Sequence, residues 1–259
     1  MELSKNTILI TGGTSGLGLE LTQRLLALDN KVIITGRDQS KLDETKRRLP
    51  EVEIIQSDVS DPEAIKRLFE QVTSRFPALN ILINNAGEMR KINLHDTSMD
   101  LHDITREVEI NLMGPIRMVQ QFLPHLKSKK SAAILNVTSG IALVPFPLSP
   151  VYGATKSGLH SYTQSLRVQL KNTSVKVFEL LAPGSRTPLN DKFKEEEGFD
   201  PKMLMEPDKL IDVAIKGLQK DTLEIYPGLA RVLKIMSRFA PGFILGQTSK
   251  VGAKTMSGR

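Results

Sequence analysis

The 259-residue chain has no cysteine, no tryptophan, only three tyrosines, and no acidic residue from Gly228 onward. Without cysteine there is no disulfide framework, no thiolate metal site and no thiol nucleophile. That absence fits a cytoplasmic enzyme. No apolar run reaches membrane-spanning length, and Met1 to Lys5 are expected to lead straight into a first strand, so no signal peptide is expected. The missing acids decide where the charge lies. Beyond Gly228 stand Arg231, Lys234, Arg238, Lys250, Lys254 and Arg259, while the 29 basic and 29 acidic residues before them cancel. The net charge of +6 therefore belongs to a basic C-terminal extension, 228–259. Nucleic acid is not an expected partner, and any pull toward an anionic surface is confined to that tail.

What remains is ordinary globular material, 40% hydrophobic and 25% charged, enough for one α/β domain over 1–259. Thr7–Thr11 is a short β-prone run. Gly12-Gly13-Thr14-Ser15-Gly16-Leu17-Gly18 follows it and opens a helical pattern. A Gly-x-x-x-Gly-x-Gly turn between strand and helix lets the backbone approach a phosphate, which the helix N-terminus then attracts. A second strand, 31–35, ends at Gly36-Arg37, where an acid would serve NAD(H) and an arginine pairs with a 2′-phosphate. NADP(H) is the expected cofactor, preferred over NAD(H).

A third strand, 52–56, is followed by Asp58-Val59, where the carboxylate either accepts from an adenine amino group or caps the next turn. A fourth, 80–84, ends in Asn85-Ala86-Gly87, small residues that leave space for a ribose. His95 and His102 lack a third convergent ligand, so no metal site is expected. One long helix is expected from about 103 to 129, with Asn111 in an apolar stretch and a kink near Gly114-Pro115. A fifth strand leads to Ser139, with no nucleophile-elbow motif around it. Tyr152 and Lys156 stand one helical turn apart, so the ammonium is expected to lower the phenol pKa. A sixth strand ends at Pro183-Gly184-Ser185-Arg186-Thr187, and a charged stretch, 188–206, reads as a mobile lid over the substrate. Met89, Arg90, Pro145 and Phe146 are expected to shape the substrate pocket. A short seventh strand, 223–226, precedes the tail, whose helix 229–240 either packs its apolar stripe over the pocket or a subunit, or meets an anionic surface.

Strand and helix alternate, which predicts a doubly wound, parallel, seven-stranded Rossmann sheet with helices on both faces. Every motif falls at a strand carboxyl end, where such sheets bind ligands. Together Gly12 to Gly18, Asn84-Asn85-Ala86-Gly87, Asn111, Ser139 and Tyr152-x-x-x-Lys156 resemble the short-chain dehydrogenase/reductase family. Val137-Thr138-Ser139-Gly140-Ile141-Ala142 and Glu224-Ile225-Tyr226-Pro227-Gly228 are closest to its subgroup named after an oxidoreductase of D-alanyl-lipoteichoic acid gene clusters. The resemblance implies hydride exchange between NADPH and a carbonyl or alcohol substrate. Tyr152 would be general acid/base, Ser139 would bond the substrate oxygen, and Lys156 would tune Tyr152 and hold the nicotinamide ribose. Asn111 would position a water. Pro183 and Thr187 would lie near the nicotinamide amide, although Thr187 follows Pro183-Gly184 one residue sooner than in the family. A homodimer or homotetramer is implied. The rival expectations are a catalytically silent NADP(H)-binding redox sensor and a reductase docked by its tail to a membrane or an acidic carrier protein.

Overall fold

The computed structural model describes residues 1–257; Arg259 of the basic tail lies outside them. The chain runs β1 (Thr7–Thr11), α1 (Gly16–Leu26), β2 (Lys31–Gly36), α2 (Gln39–Arg48), β3 (Glu53–Gln56), α3 (Pro62–Arg75) and β4 (Leu79–Asn84). It continues through α4 (Leu101–Val108), α5 (Gly114–Lys127), β5 (Ala132–Ser139), α6 (Pro150–Gln169) and β6 (Val175–Ala182). Then come α7 (Pro188–Asp191), α8 (Pro207–Gln219), β7 (Glu224–Ile225), α9 (Leu229–Phe239), α10 (Pro241–Thr248) and α11 (Ala253–Met256). The strand order is β3-β2-β1-β4-β5-β6-β7, with every pair parallel.

Alternation along the strands divides the core into two. Ile8 and Ile10 of β1 face Leu21 and Leu25 of α1 and Leu210 and Ile211 of α8. Leu9, between them, faces the other way, into a cluster with Leu68 of α3, Phe122 of α5 and Leu166 of α6. A strand buried on both faces has no polar side, which is why these strands read as unbroken Val/Ile/Leu runs. The helix starts are written locally. Asp38 and Asp61 accept from the first-turn N–H groups of α2 and α3, and Pro62 and Pro150 occupy first-turn positions.

The expected long helix differs in one respect. α4 and α5 are joined by a π turn, Glu109–Met113, so the irregularity precedes Gly114-Pro115 and contains Asn111 itself. The Gly114 N–H reaches back five residues to the Glu109 carbonyl, and the extra residue rotates Asn111 into the protein. Strand order reverses between β1 and β4, which opens a crevice above their carboxyl ends. No described helix is long and apolar enough to cross a membrane.

Candidate active site

The crevice is a cleft of about 610 Å³. At its β1 end Gly12 holds φ +68°, and its N–H donates to the Thr35 carbonyl at 2.9 Å. A Cβ on Gly18 would lie 2.1 Å from the Gly12 carbonyl oxygen, so helix and turn can meet this closely only through glycine. Thr14, Ser15, Gly16 and Leu17 complete the lining here. Ser15, at the cap of α1, makes no capping bond, and the first turn holds no acid. The first-turn N–H groups and the positive end of the helix dipole are thus left for an anion, which fits the diphosphate of a dinucleotide.

Arg37 lines the cleft beyond β2 and is solvent-exposed. Asp38 lines it too, with Oδ1 committed to α2, accepting from Ser40 N at 2.9 Å, Lys41 N at 3.3 Å and Ser40 Oγ at 2.6 Å. Lys41, one turn after Arg37, adds a second cation that the sequence reading missed. Asp58 and Val59 line the same region. One oxygen of Asp58 caps its own turn, accepting from Ser60 N at 2.9 Å and Ser60 Oγ at 2.7 Å, so the capping alternative describes that oxygen. Asn85, Ala86 and Gly87 form the floor. The Asn85 amide donates to the carbonyls of Thr11 and Gly12, both at 3.0 Å, and so fixes the glycine turn to the end of β4.

Ser139, Tyr152 and Lys156 stand on the opposite wall, the serine ending β5 and the other two on the first turns of α6. Lys156 Nζ donates to the Val137 carbonyl at 3.0 Å and lies 5.6 Å from the centre of the Tyr152 ring. The expected lowering of the phenol pKa is reversed. Burial under Met89, Leu148 and Phe193 pushes Tyr152 up to about 12; Ser139 pulls the other way, and the charge of Glu107 pushes further up. Ser139 Oγ itself donates to the Ala182 carbonyl at 3.3 Å and accepts from Ile141 N at 3.2 Å. Burial brings Lys156 itself down to about 8, against an upward pull from Glu179, so it still carries its charge at neutral pH. Glu179 is fully buried, bonded by Thr138 Oγ1 at 2.6 Å and by His160 Nδ1 at 2.9 Å. At neutral pH the phenol holds its proton.

Of the predicted catalytic and cofactor-binding residues, only Asn111 is not exposed on the cleft wall. Its Oδ1 accepts from Glu88 N at 2.8 Å; its Nδ2 donates to Glu88 O at 2.7 Å and Thr155 Oγ1 at 3.3 Å. The side chain clamps the β4 loop to α6 from behind. Pro183 and Thr187 both line the cleft, Thr187 against Gly16. The loop from Pro183 to Thr187 includes a three-residue turn, Thr187 N donating to Ser185 O at 2.8 Å. Of the expected substrate-wall residues only Met89 lines the cleft. Arg90 is turned away into ion pairs with Asp103 and Glu107, and Phe146 instead supports Phe193 of the 188–206 stretch. Pro145 lines a separate groove. Leu189, Asn190 and Lys192 of that stretch do reach the cleft.

A parallel doubly wound sheet, a glycine turn at its switch point and a serine–tyrosine–lysine wall define a class of oxidoreductase. The chain belongs to the short-chain dehydrogenase/reductase family: the family described as short chain dehydrogenase matches residues 6–198. Within it the chain groups with the DltE-like oxidoreductases. It is 43% identical over 199 residues to an uncharacterized oxidoreductase DltE of Bacillus subtilis, covering 77% of this chain and 79% of the relative. A short-chain dehydrogenase from Sphingobium yanoikuyae in complex with NADPH superposes with a TM-score of 0.78 at 25% identity, covering 92% of this chain and 95% of that one. One from Burkholderia phymatum in complex with NAD gives 0.81 at 20% identity over 92% and 95%.

Proposed function

We propose that the chain is an NADP(H)-dependent oxidoreductase that interconverts a carbonyl compound and an alcohol, with Tyr152 as general acid/base. The observation that carries this reading is the convergence of Ser139, Tyr152 and Lys156 on one cleft with an uncapped helix N-terminus at its other end. Gly12 to Gly18 would hold the diphosphate, with Asp58 and Val59 beside the adenine. Asn85 to Gly87 and Lys156 would hold the nicotinamide ribose, and Pro183 and Thr187 the carboxamide end. When bound, the reduced cofactor supplies the hydride. Tyr152, protonated at neutral pH, gives its proton to the substrate oxygen, and the Ser139 hydroxyl steadies that oxygen. Lys156, charged below about pH 8, stabilises the phenolate that remains. Mixing the protein with NADPH and a panel of aldehydes and ketones tests the reading: consumption of NADPH is expected with at least one, and consumption with none rejects it.

Arg37 and Lys41 support the 2′-phosphate preference, as two cations at the cleft beyond β2, where Asp38 spends one carboxylate oxygen on the α2 terminus. Arg37→Ser removes a charge-assisted bond, about 1.5–3 kcal/mol, and should raise KM for NADPH by about 10- to 100-fold. KM for NADH should change by less than about threefold, since that ligand never used the guanidinium. Equal losses with both cofactors would contradict the assignment.

A further inference from the structure

The tail carries a second surface with its own chemistry. α9 is two-faced. Ala230 is completely buried, and Leu233 sits against Gly140, in the turn that follows Ser139. On the opposite side Val232, Ile235 and Phe239, at helical spacing, are 50%, 53% and 83% exposed. Pro241 then turns the chain into α10, which has no buried residue and adds Phe243 at 58% and Leu245. The space beside Gly242 and Gly246 is open. Arg231 and Arg238, seven residues apart, line one edge of the apolar stripe and make no ion pair among the described residues. Lys234, nearer the body, is by contrast tied to Glu224 and lies over the Tyr226 ring.

We propose that residues 229–245 form an in-plane docking surface for an anionic lipid bilayer. Charge selects this occupant. No acid occurs from Gly228 onward, so a second copy laid over the stripe would set Arg231 and Arg238 against their own kind. Shape selects it as well. Phe239 and Phe243 flank the break between two helices and project outward, a ridge that enters a headgroup layer rather than a groove that receives a helix. The chain that follows the segment is tied to the 188–206 stretch, whose Leu189, Asn190 and Lys192 line the cleft. Beyond α10, Gly252 N donates to Glu197 O at 2.9 Å, Thr255 Oγ1 to Glu196 at 2.6 Å, and Lys254 pairs with Glu197 at 3.1 Å. Docking through α9 and α10 therefore holds the turn after Ser139 and residues 196–197 beside the bilayer.

Sedimentation of the full chain with vesicles tests this without any assumption about cofactor or substrate. Vesicles of phosphatidylglycerol and phosphatidylcholine should pellet the protein at least about tenfold more strongly than pure phosphatidylcholine, and salt should weaken the binding. Phe239→Ser with Phe243→Ser, and separately Arg231→Gln with Arg238→Gln, should each lower binding by about tenfold or more while thermal melting stays unchanged. Equal binding to both vesicle types, or anionic binding that survives the phenylalanine pair, overturns the proposal. A smaller oligomer in light scattering for the phenylalanine pair also overturns it, because the ridge would then be a subunit contact.

Discussion

Lys156→Met is expected to abolish turnover and to make the fold more stable at neutral pH. Lys156 is almost wholly buried and its ammonium is brought from 10.5 to about 8, a cost of about 3 kcal/mol in keeping the charge inside. Methionine removes that cost but leaves the Val137 carbonyl without its donor, which gives back about 1 kcal/mol. The net gain of about 2 kcal/mol corresponds to a melting temperature about 4–8 °C higher. The sign has a pH signature. Below about pH 8 the lysine is charged in folded and unfolded chains alike, and the cost is present in full. Between about 8 and 10.5 the unfolded chain binds more protons than the folded one, so wild-type stability rises with pH. The advantage of Met should therefore shrink across that window and be flat below it. Denaturant unfolding at a series of pH values reads this directly. A variant less stable than wild type at pH 7 would mean that Lys156 is held by stronger partners than Val137 and Glu179.

The sheet was legible because burial on both faces writes most of its strands as apolar runs, and all but β3 are closed by glycine, proline or asparagine. Its ligand-binding rim was legible for a related reason: Gly18, Arg37, Asn85, Ser139 and Thr187 each stand at or just beyond a strand end, and parallel topology brings all those ends to one side. The tyrosine–lysine spacing survives folding because one helical turn is a local fact. The direction of the Tyr152 shift is not local. It is set by Met89, Leu148, Phe193 and Glu107, which come from four separate stretches of chain. Asn111 was placed on the right helix, yet its inward rotation follows from a π turn that no apolar spacing announces. Arg90 looked like a pocket residue by position, and only the pairing of α4 with the β4 loop shows its partners. Lys41 was recoverable from sequence: it lies one turn beyond Arg37 on a helix whose start Asp38 marks.

Tyr152→Phe is the sharpest probe of the central claim, that a buried, protonated phenol supplies the proton when a carbonyl is reduced. Phenylalanine keeps the packing against Met89 and Phe193 and removes a hydroxyl whose ionisation burial already opposes, so the fold should be unaffected. The Gly12–Gly18 turn and Arg37 do not involve the phenol, so NADPH should bind with wild-type affinity. Loss of a positioned proton donor removes about 10²- to 10⁴-fold in rate. The decisive measurement pairs NADPH binding with single-turnover reduction of a carbonyl substrate, for wild type and Tyr152→Phe. Unchanged binding with a rate about 10²- to 10⁴-fold lower is the predicted result. A variant that reduces the substrate within about threefold of the wild-type rate would show that the proton comes from elsewhere.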